Sequence, residues 1–347
     1  MDKIVLDGMG GDNAPAAIIE GAVAALKSDK NFSLIITGRE NEILNELAKY
    51  KYDKSRVEII DCPDVIGMND VPTEAIKNKG ASLTAAYWLL KKDDGVCGLV
   101  TAGSTGAAIA GGQVILGRIR GVKRAALCPA IPNVNPNVTG GVTLLCDCGA
   151  NAECKSVMLC QFAVLASCYA QAGFGKTNPK IGLLSNGTEE HKGDALRQET
   201  YKYLTEIKDI NFIGNVEGRD INLGDCDVVV ADGFSGNVAL KCIEGSAKML
   251  LSTLKKQFKS SPAAMLGALF SLGAFKRIKK RMDFDKYGGA LLLGLKKVVV
   301  KSHGSSKPVT VKNSILNALS IHRNGLIPKV EEMLEKVDLD NLIKVEE

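Results

Sequence analysis

One loop of this 347-residue chain concentrates groups that handle oxyanions: Ser185-Asn186-Gly187-Thr188-Glu189-Glu190-His191-Lys192-Gly193. Lys192 supplies a cation, Asn186 a carboxamide and His191 an imidazole able to give or take a proton near neutral pH. Three more loops have a similar make-up: Asp7-Gly8-Met9-Gly10-Gly11-Asp12-Asn13, Thr101-Ala102-Gly103-Ser104-Thr105-Gly106 and Asp232-Gly233-Phe234-Ser235-Gly236-Asn237. Glycine lets a backbone approach an anion closely, and helix N-termini offer unpaired N–H groups. Ser104, Thr105, Asn186 and Asn237 add neutral hydrogen-bonding groups. The set suits a phosphate better than an apolar ligand. Asp7, Gly10, Gly11, Asn13, Gly103, Ser104, Thr105, Asn186 and Gly236 are the candidate substrate- or phosphate-binding positions.

If phosphate is the substrate, no covalent nucleophile is required of the protein. A phosphate dianion can attack a thioester carbonyl directly; the protein orients it, stabilises the tetrahedral oxyanion and helps the thiol leave. Lys192 and Asn237 are the donors expected at that step, with His191 as proton donor or second anchor. His191 and Lys192 as mere decoration of a surface turn stays an open alternative. The rival motifs fail on inspection. No HExxH or other metal-ligand spacing occurs among the three histidines, His191, His303 and His322, so no metal is expected. Gly233-Phe234-Ser235-Gly236 is not a GxSxG elbow. Gly8-Met9-Gly10-Gly11-Asp12-Asn13 lacks the third glycine of the dinucleotide fingerprint, and Gly175-Lys176-Thr177 has Ala170 where a P-loop begins and follows a helical run.

The loops need elements to hold them. Strand-like runs at Lys3–Leu6, Ser33–Thr37, Val57–Ile60, Val96–Val100, Gly141–Cys146, Ile181–Leu184, Asn211–Ile213 and Asp227–Val230 alternate with helical ones at Ala14–Leu26, Glu40–Lys49, Ala81–Leu90 and Val157–Ala170. That rhythm implies parallel strands joined by right-handed crossovers, an α/β sandwich with helices on both faces. Several candidate loops directly follow strands, where open α/β sheets gather their ligands. One α/β domain over residues 1–347 is expected, with a division into two lobes left open.

Hydrophobic residues make up 46% and charged residues 24%, enough apolar material for a substantial core. Met1-Asp2-Lys3 leads into a short strand without a basic n-region, so no secretory signal is expected, and no uninterrupted apolar run of about 18 residues suggests a membrane span. Ten cysteines without a CxxC pair fit a reducing compartment; Cys146, Cys148, Cys154 and Cys160 read as small buried residues.

The net charge of +5 is unevenly placed: residues 255–281 carry eight Lys and Arg and no acidic residue, leaving 5 − 8 = −3 for the remainder. Within this stretch lies the apolar run Met265–Phe275. Eleven residues cannot span a bilayer, so a helical segment over 245–285 is expected to protrude and to touch an anionic membrane surface or an acyl chain through Leu266, Leu269, Phe270 and Leu272. Docking of an acidic protein, or a core or dimer helix with solvated ends, remains the alternative.

Together these motifs, with Asp147-Cys148-Gly149-Ala150-Asn151 and Tyr287-Gly288-Gly289-Ala290, resemble the bacterial phosphate acyltransferase of phospholipid synthesis, in order from about residue 4 to about residue 325. The resemblance implies transfer of a long-chain fatty-acyl group from acyl carrier protein to inorganic phosphate, giving acyl-phosphate. It implies a fold related to phosphotransacetylase and isopropylmalate dehydrogenase, a homodimer, no metal or nucleotide cofactor, no nucleic-acid partner, and a cytoplasmic enzyme held peripherally at the inner face of the cell membrane. It places catalysis on Lys192 and Asn237, with His191 less fixed because relatives carry lysine there. A short-chain phosphotransacetylase using acetyl-coenzyme A, a nicotinamide-dependent dehydrogenase and a non-enzymatic scaffold are the competing readings.

Overall fold

Apolar runs of four to seven residues become strands wherever glycine or aspartate cuts them short. In the computed structural model, which describes residues 1–281 and 284–337, they are β1 (Asp2–Asp7), β2 (Phe32–Gly38), β3 (Val57–Asp61), β4 (Val96–Thr101), β5 (Ala126–Cys128) and β6 (Ala130–Pro132). The second half of the chain adds β7 (Val142–Cys146), β8 (Lys180–Leu184), β9 (Asn211–Val216), β10 (Val228–Val230), β11 (Ala290–Leu293) and β12 (Val298–Lys301). Between them run α1 (Ala16–Ser28), α2 (Glu40–Leu47), α3 (Pro72–Ala75), α4 (Ser82–Lys92), α5 (Thr105–Gly111) and α6 (Ser156–Phe174). The remaining helices are α7 (Ala195–Glu206), α8 (Asp220–Leu223), α9 (Gly233–Phe258), α10 (Pro262–Arg281), α11 (Pro308–Arg323) and α12 (Leu326–Val337).

The strands form two sheets, ordered β3-β2-β1-β4-β12-β11-β5 and β6-β7-β10-β8-β9. This is the α/β architecture expected from the alternation, with one refinement. β11 runs antiparallel to both its neighbours and β6 antiparallel to β7, so both sheets are mixed. The period-two alternation of a strand sorts the core into layers. Ile4 and Leu6 on β1 join α1, α6 and α11 in a central core that also receives Leu144, Val228 and Val230 of the second sheet. Val5, Leu99 and Val299 point the other way, toward Leu83, Tyr87 and Ala107 on α4 and α5. Leu145 and Val229 pack on the far face of the second sheet with Ile221 of α8 and the partly buried Leu240 and Ile243 of α9. Strands clad on both sides are apolar at almost every position, which is why β4 is buried from end to end.

α6 is long and apolar enough, by length and composition, to cross a membrane, although its sequence is broken by polar residues such as Gln161 and Ser167. It is instead the central core helix, with 72% of its apolar window buried. Gly175 ends it in a left-handed turn at φ 69°.

The hairpin of α9 and α10 behaves differently. Past its first turn and a half, α9 is largely exposed, and α10 exposes Met265, Leu266, Leu269, Phe270 and Leu272. Phe258 and Phe275 clasp the two helices edge to face, their ring centroids 4.8 Å apart. Positions 282–283 of the expected 245–285 segment lie outside the described residues.

Candidate active site

The first sheet brings two of the sequence-predicted loops together at the carboxyl ends of β1 and β4. Asp7 is buried there and accepts hydrogen bonds from Ser82 Oγ and Thr101 Oγ1, each at 2.7 Å, and from the Met9 N–H. Burial pushes its carboxyl above the usual range while these bonds pull it back. Gly10 packs so closely on the Gly103 N–H that a side chain would meet it at 2.7 Å. Gly11, at φ 101°, approaches the Gly304 carbonyl, and a third loop, following β12, thus joins the corner through the Asp12 N–H to Gly304 carbonyl bond of 2.8 Å. Asn13 Nδ2 donates to the Ser306 carbonyl, and Ser104 Oγ accepts from the Ala107 N–H as the cap of α5, with Thr105 half-buried behind it. Asp7, Asn13 and Ser104 therefore spend hydrogen-bonding capacity on holding the loops in place.

The second sheet gathers the other loops around the start of α9. Asp232 caps this helix by accepting from the Ser235 N–H at 2.8 Å. Asp232 also pairs with Arg197, which donates to Ser235 Oγ and bridges to Asp194. Its own acidic partners thus neutralise this guanidinium. Arg197 nonetheless lines a hollow of about 440 Å³ with Ser185, Asn186, Gly193, Asp194 and Ser235. Asn186 Oδ1 closes its own loop by accepting from the Gly193 N–H. The buried Ser185 Oγ has no hydrogen-bond partner among the described residues, leaving a hydroxyl for a ligand. Lys192 is half-buried, its stem packed over Gly187, and it forms no ion pair among the described residues. His191 is exposed and is anchored through its carbonyl, which accepts from Gln198 Nε2.

Asn237 sits one turn into α9 and faces the loop after β7, its Cγ 3.4 Å from where a side chain on Gly149 would begin. A side chain at Gly236 would run into the Asp147 carbonyl, so glycine is required for this helix to dock. Farther along, Lys241 lies near enough to Lys301 and His303, at the end of β12, to oppose their protonation. α9 therefore borders both corners, and its distal half carries the exposed apolar hairpin. Leu266, Leu269, Phe270 and Leu272 belong to that hairpin, on α10, rather than to the loop clusters.

Ser185, Arg197 and Lys301 escaped the sequence reading. Ser185 followed a strand and could have been taken with Asn186; Arg197 and Lys301 carried no local signal, being a helix residue and the last residue of a short strand. A second, mostly apolar hollow of about 500 Å³ beside Ile60, Trp88 and Leu89 contains none of the candidate residues. The four clustered cysteines pack in or against the core; at Cys160 burial pushes the thiol to about 12.

Comparison with known proteins fits this arrangement. The family described as fatty acid synthesis protein matches residues 2–329. A phosphate acyltransferase of Clostridium perfringens is 45% identical over 98% of both chains, and one of Clostridium novyi is 42% identical over 96% of this chain and 99% of its own. Among solved structures, EutD phosphotransacetylase from Staphylococcus aureus superposes with a TM-score of 0.57 at 19% identity, covering 93% of this chain and 94% of that one, a likeness of fold.

Proposed function

This chain belongs to the phosphate acyltransferase family, a family of acyltransferase enzymes, and from that premise we propose that it moves a long-chain fatty-acyl group from acyl carrier protein to inorganic phosphate for phospholipid synthesis. The reaction follows from the groups at hand. A phosphate oxygen attacks the thioester carbonyl carbon, and the carbonyl oxygen becomes an oxyanion. Collapse of that intermediate breaks the C–S bond, so acyl-phosphate and the carrier thiol leave once the thiolate takes up a proton. Lys192 and Asn237 donate to the phosphate or the developing oxyanion, and His191 is a second anchor or the proton source. No metal or nucleotide cofactor enters the scheme.

The observation that carries the choice of donor is the hairpin of α9 and α10. It offers exposed Leu266, Leu269, Phe270 and Leu272 on α10, within a stretch rich in lysine and arginine, next to α9, which starts in the loop cluster. A two-carbon acyl group on coenzyme A would have no use for such a surface. The basic, apolar hairpin also fits a peripheral contact with an anionic membrane, while a cytoplasmic location at its inner face and a homodimer are what the family resemblance implies.

The test supplies palmitoyl-carrier protein and acetyl-coenzyme A in parallel, each with phosphate, and traps acyl-phosphate with hydroxylamine. Product from the carrier substrate alone is expected. Product from acetyl-coenzyme A alone would make the enzyme a short-chain phosphotransacetylase, and product from neither would refute the reaction.

A further inference from the structure

The register of the first sheet sets three polar side chains in one row across its carboxyl edge. Lys301 on β12 is paired with Thr101 on β4, and Thr101 Oγ1 donates to Asp7 on β1. Two residues earlier in each strand, Val299, Leu99 and Val5 face α4 and α5, so the polar row continues that face. All three side chains are buried, Lys301 to 7% exposure. The loops after β1, β4 and β12 close over the row through the Asp12–Gly304, Gly103–Thr101 and Ser302–Thr101 hydrogen bonds.

The two ends of the row are unequally satisfied. Asp7 receives two hydroxyls and a backbone N–H and needs no cation. Lys301 has three N–H donors, and among the described residues its Nζ donates only to the Ser302 carbonyl. Asp12 and Asp7 reach it only through space, while Lys241 on α9, itself paired with Glu244 at 3.0 Å, faces it with a second positive charge. A buried ammonium without a contacting carboxylate is costly to the fold, and a second cation beside it raises that cost. An anion between the two would reverse the sign.

We propose that Lys301 is a binding residue for a phosphate group, held at the carboxyl edge of the first sheet between the β12 loop and α9. This inference rests on the phosphate acyltransferase reading and adds a residue to it. Two phosphates are present in that reaction: the inorganic nucleophile and the phosphodiester in the prosthetic arm of the carrier. Desolvation, then Lys241, brings the Lys301 ammonium down to about 8, so it is charged at neutral pH and poised to lose that charge just above. A bound phosphate anion would restore it.

Calorimetric titration of the full-length protein with inorganic phosphate alone, and separately with acyl-carrier protein alone, tests the proposal without turnover. Lys301→Met removes the charge at similar volume. It is expected to weaken one of the two titrations by about tenfold or more, the loss typical of a charge-assisted hydrogen bond, and Lys301→Arg is expected to recover most of it. The titration that weakens identifies the source of the phosphate. Both titrations unchanged in a folded Lys301→Met protein would overturn the assignment. If that variant does not fold, the wild type decides. The affected titration should weaken as pH rises through about 8, where Lys301 loses its charge while His303, whose pKa burial lowers, is already neutral; Asp7, Asp12, and Lys241 with its partner Glu244 are the other charged groups facing it, and flat profiles from about pH 7 to 9.5 would overturn the proposal equally. A wild type that binds phosphate but yields no acyl-phosphate would refute the reaction and leave the site standing.

Discussion

At the scale of single residues, the donors assigned to the reaction are separable from the groups that merely shape its loops. Lys192→Ala and Asn237→Ala should lower turnover by about 10²–10³-fold, as loss of an oxyanion donor does, with unchanged circular dichroism; near-normal rates in both would move the site elsewhere. Lys301 gives a separate signature in stability. Its folded pKa of about 8 lies below the ordinary 10.5, so between those values the unfolded chain binds more protons and stability rises with pH. Buried thiols such as Cys97 and Cys160, raised above 9, pull the other way at higher pH. Urea melts of wild type and Lys301→Met from about pH 7 to 10 should therefore differ by a component that grows in favour of the wild type through that window; parallel curves would show Lys301 unperturbed. Lys192 and Asn237 drew notice in the sequence because glycine-rich segments after strands contain them, although Asn237 lies in the first turns of α9. Lys301 did not, since three valines and a lysine look like any short strand, and only the register beside Thr101 reveals its burial.

At the scale of elements, periodicity exposed most of the parallel strands and the helices α1, α2, α4 and α6, but not α7, α11 and α12 nor several short or antiparallel strands. β5 and β6 have three residues each, and β11 and β12 four each, too few for an alternation to declare itself. Helix ends moved for local reasons: Pro15 caps α1, so the helix starts at Ala16 rather than Ala14. The hairpin of α9 and α10 announced itself by charge, eight cations with no acid, and by an apolar run that the core does not take up. Replacing Leu269 and Phe270 together by Glu is expected to abolish co-sedimentation with anionic vesicles. Phe270 is 88% exposed and Leu269 61%, so the urea midpoint should move by no more than about 0.5 kcal/mol equivalent. Undiminished sedimentation would remove the membrane from the account.

At the scale of the whole molecule, a buried carboxylate in the Asp147–Asn151 motif helps stitch the two sheets together, beside the Cys148 N–H bond to the Leu127 carbonyl. Asp147, just past β7, accepts from the Leu127 N–H on β5 at 2.8 Å and from the Asn151 N–H and Nδ2, while Asn151 Nδ2 also donates to the Ala125 carbonyl. Asp147→Ala strands these buried donors and should cost about 2–4 kcal/mol in chemical denaturation, loosening both corners of the site together; a loss under about 1 kcal/mol would show the junction to be held by apolar contact alone. α9 has a different reach. Its 26 residues make a rod about 39 Å long with no proline along it, rooted among the reacting loops and greasy at its tip. On the proposed docking to a lipid surface, the loop cluster would be held at a fixed stand-off from it, and a tailed product would have only one helix length to travel before it met oil.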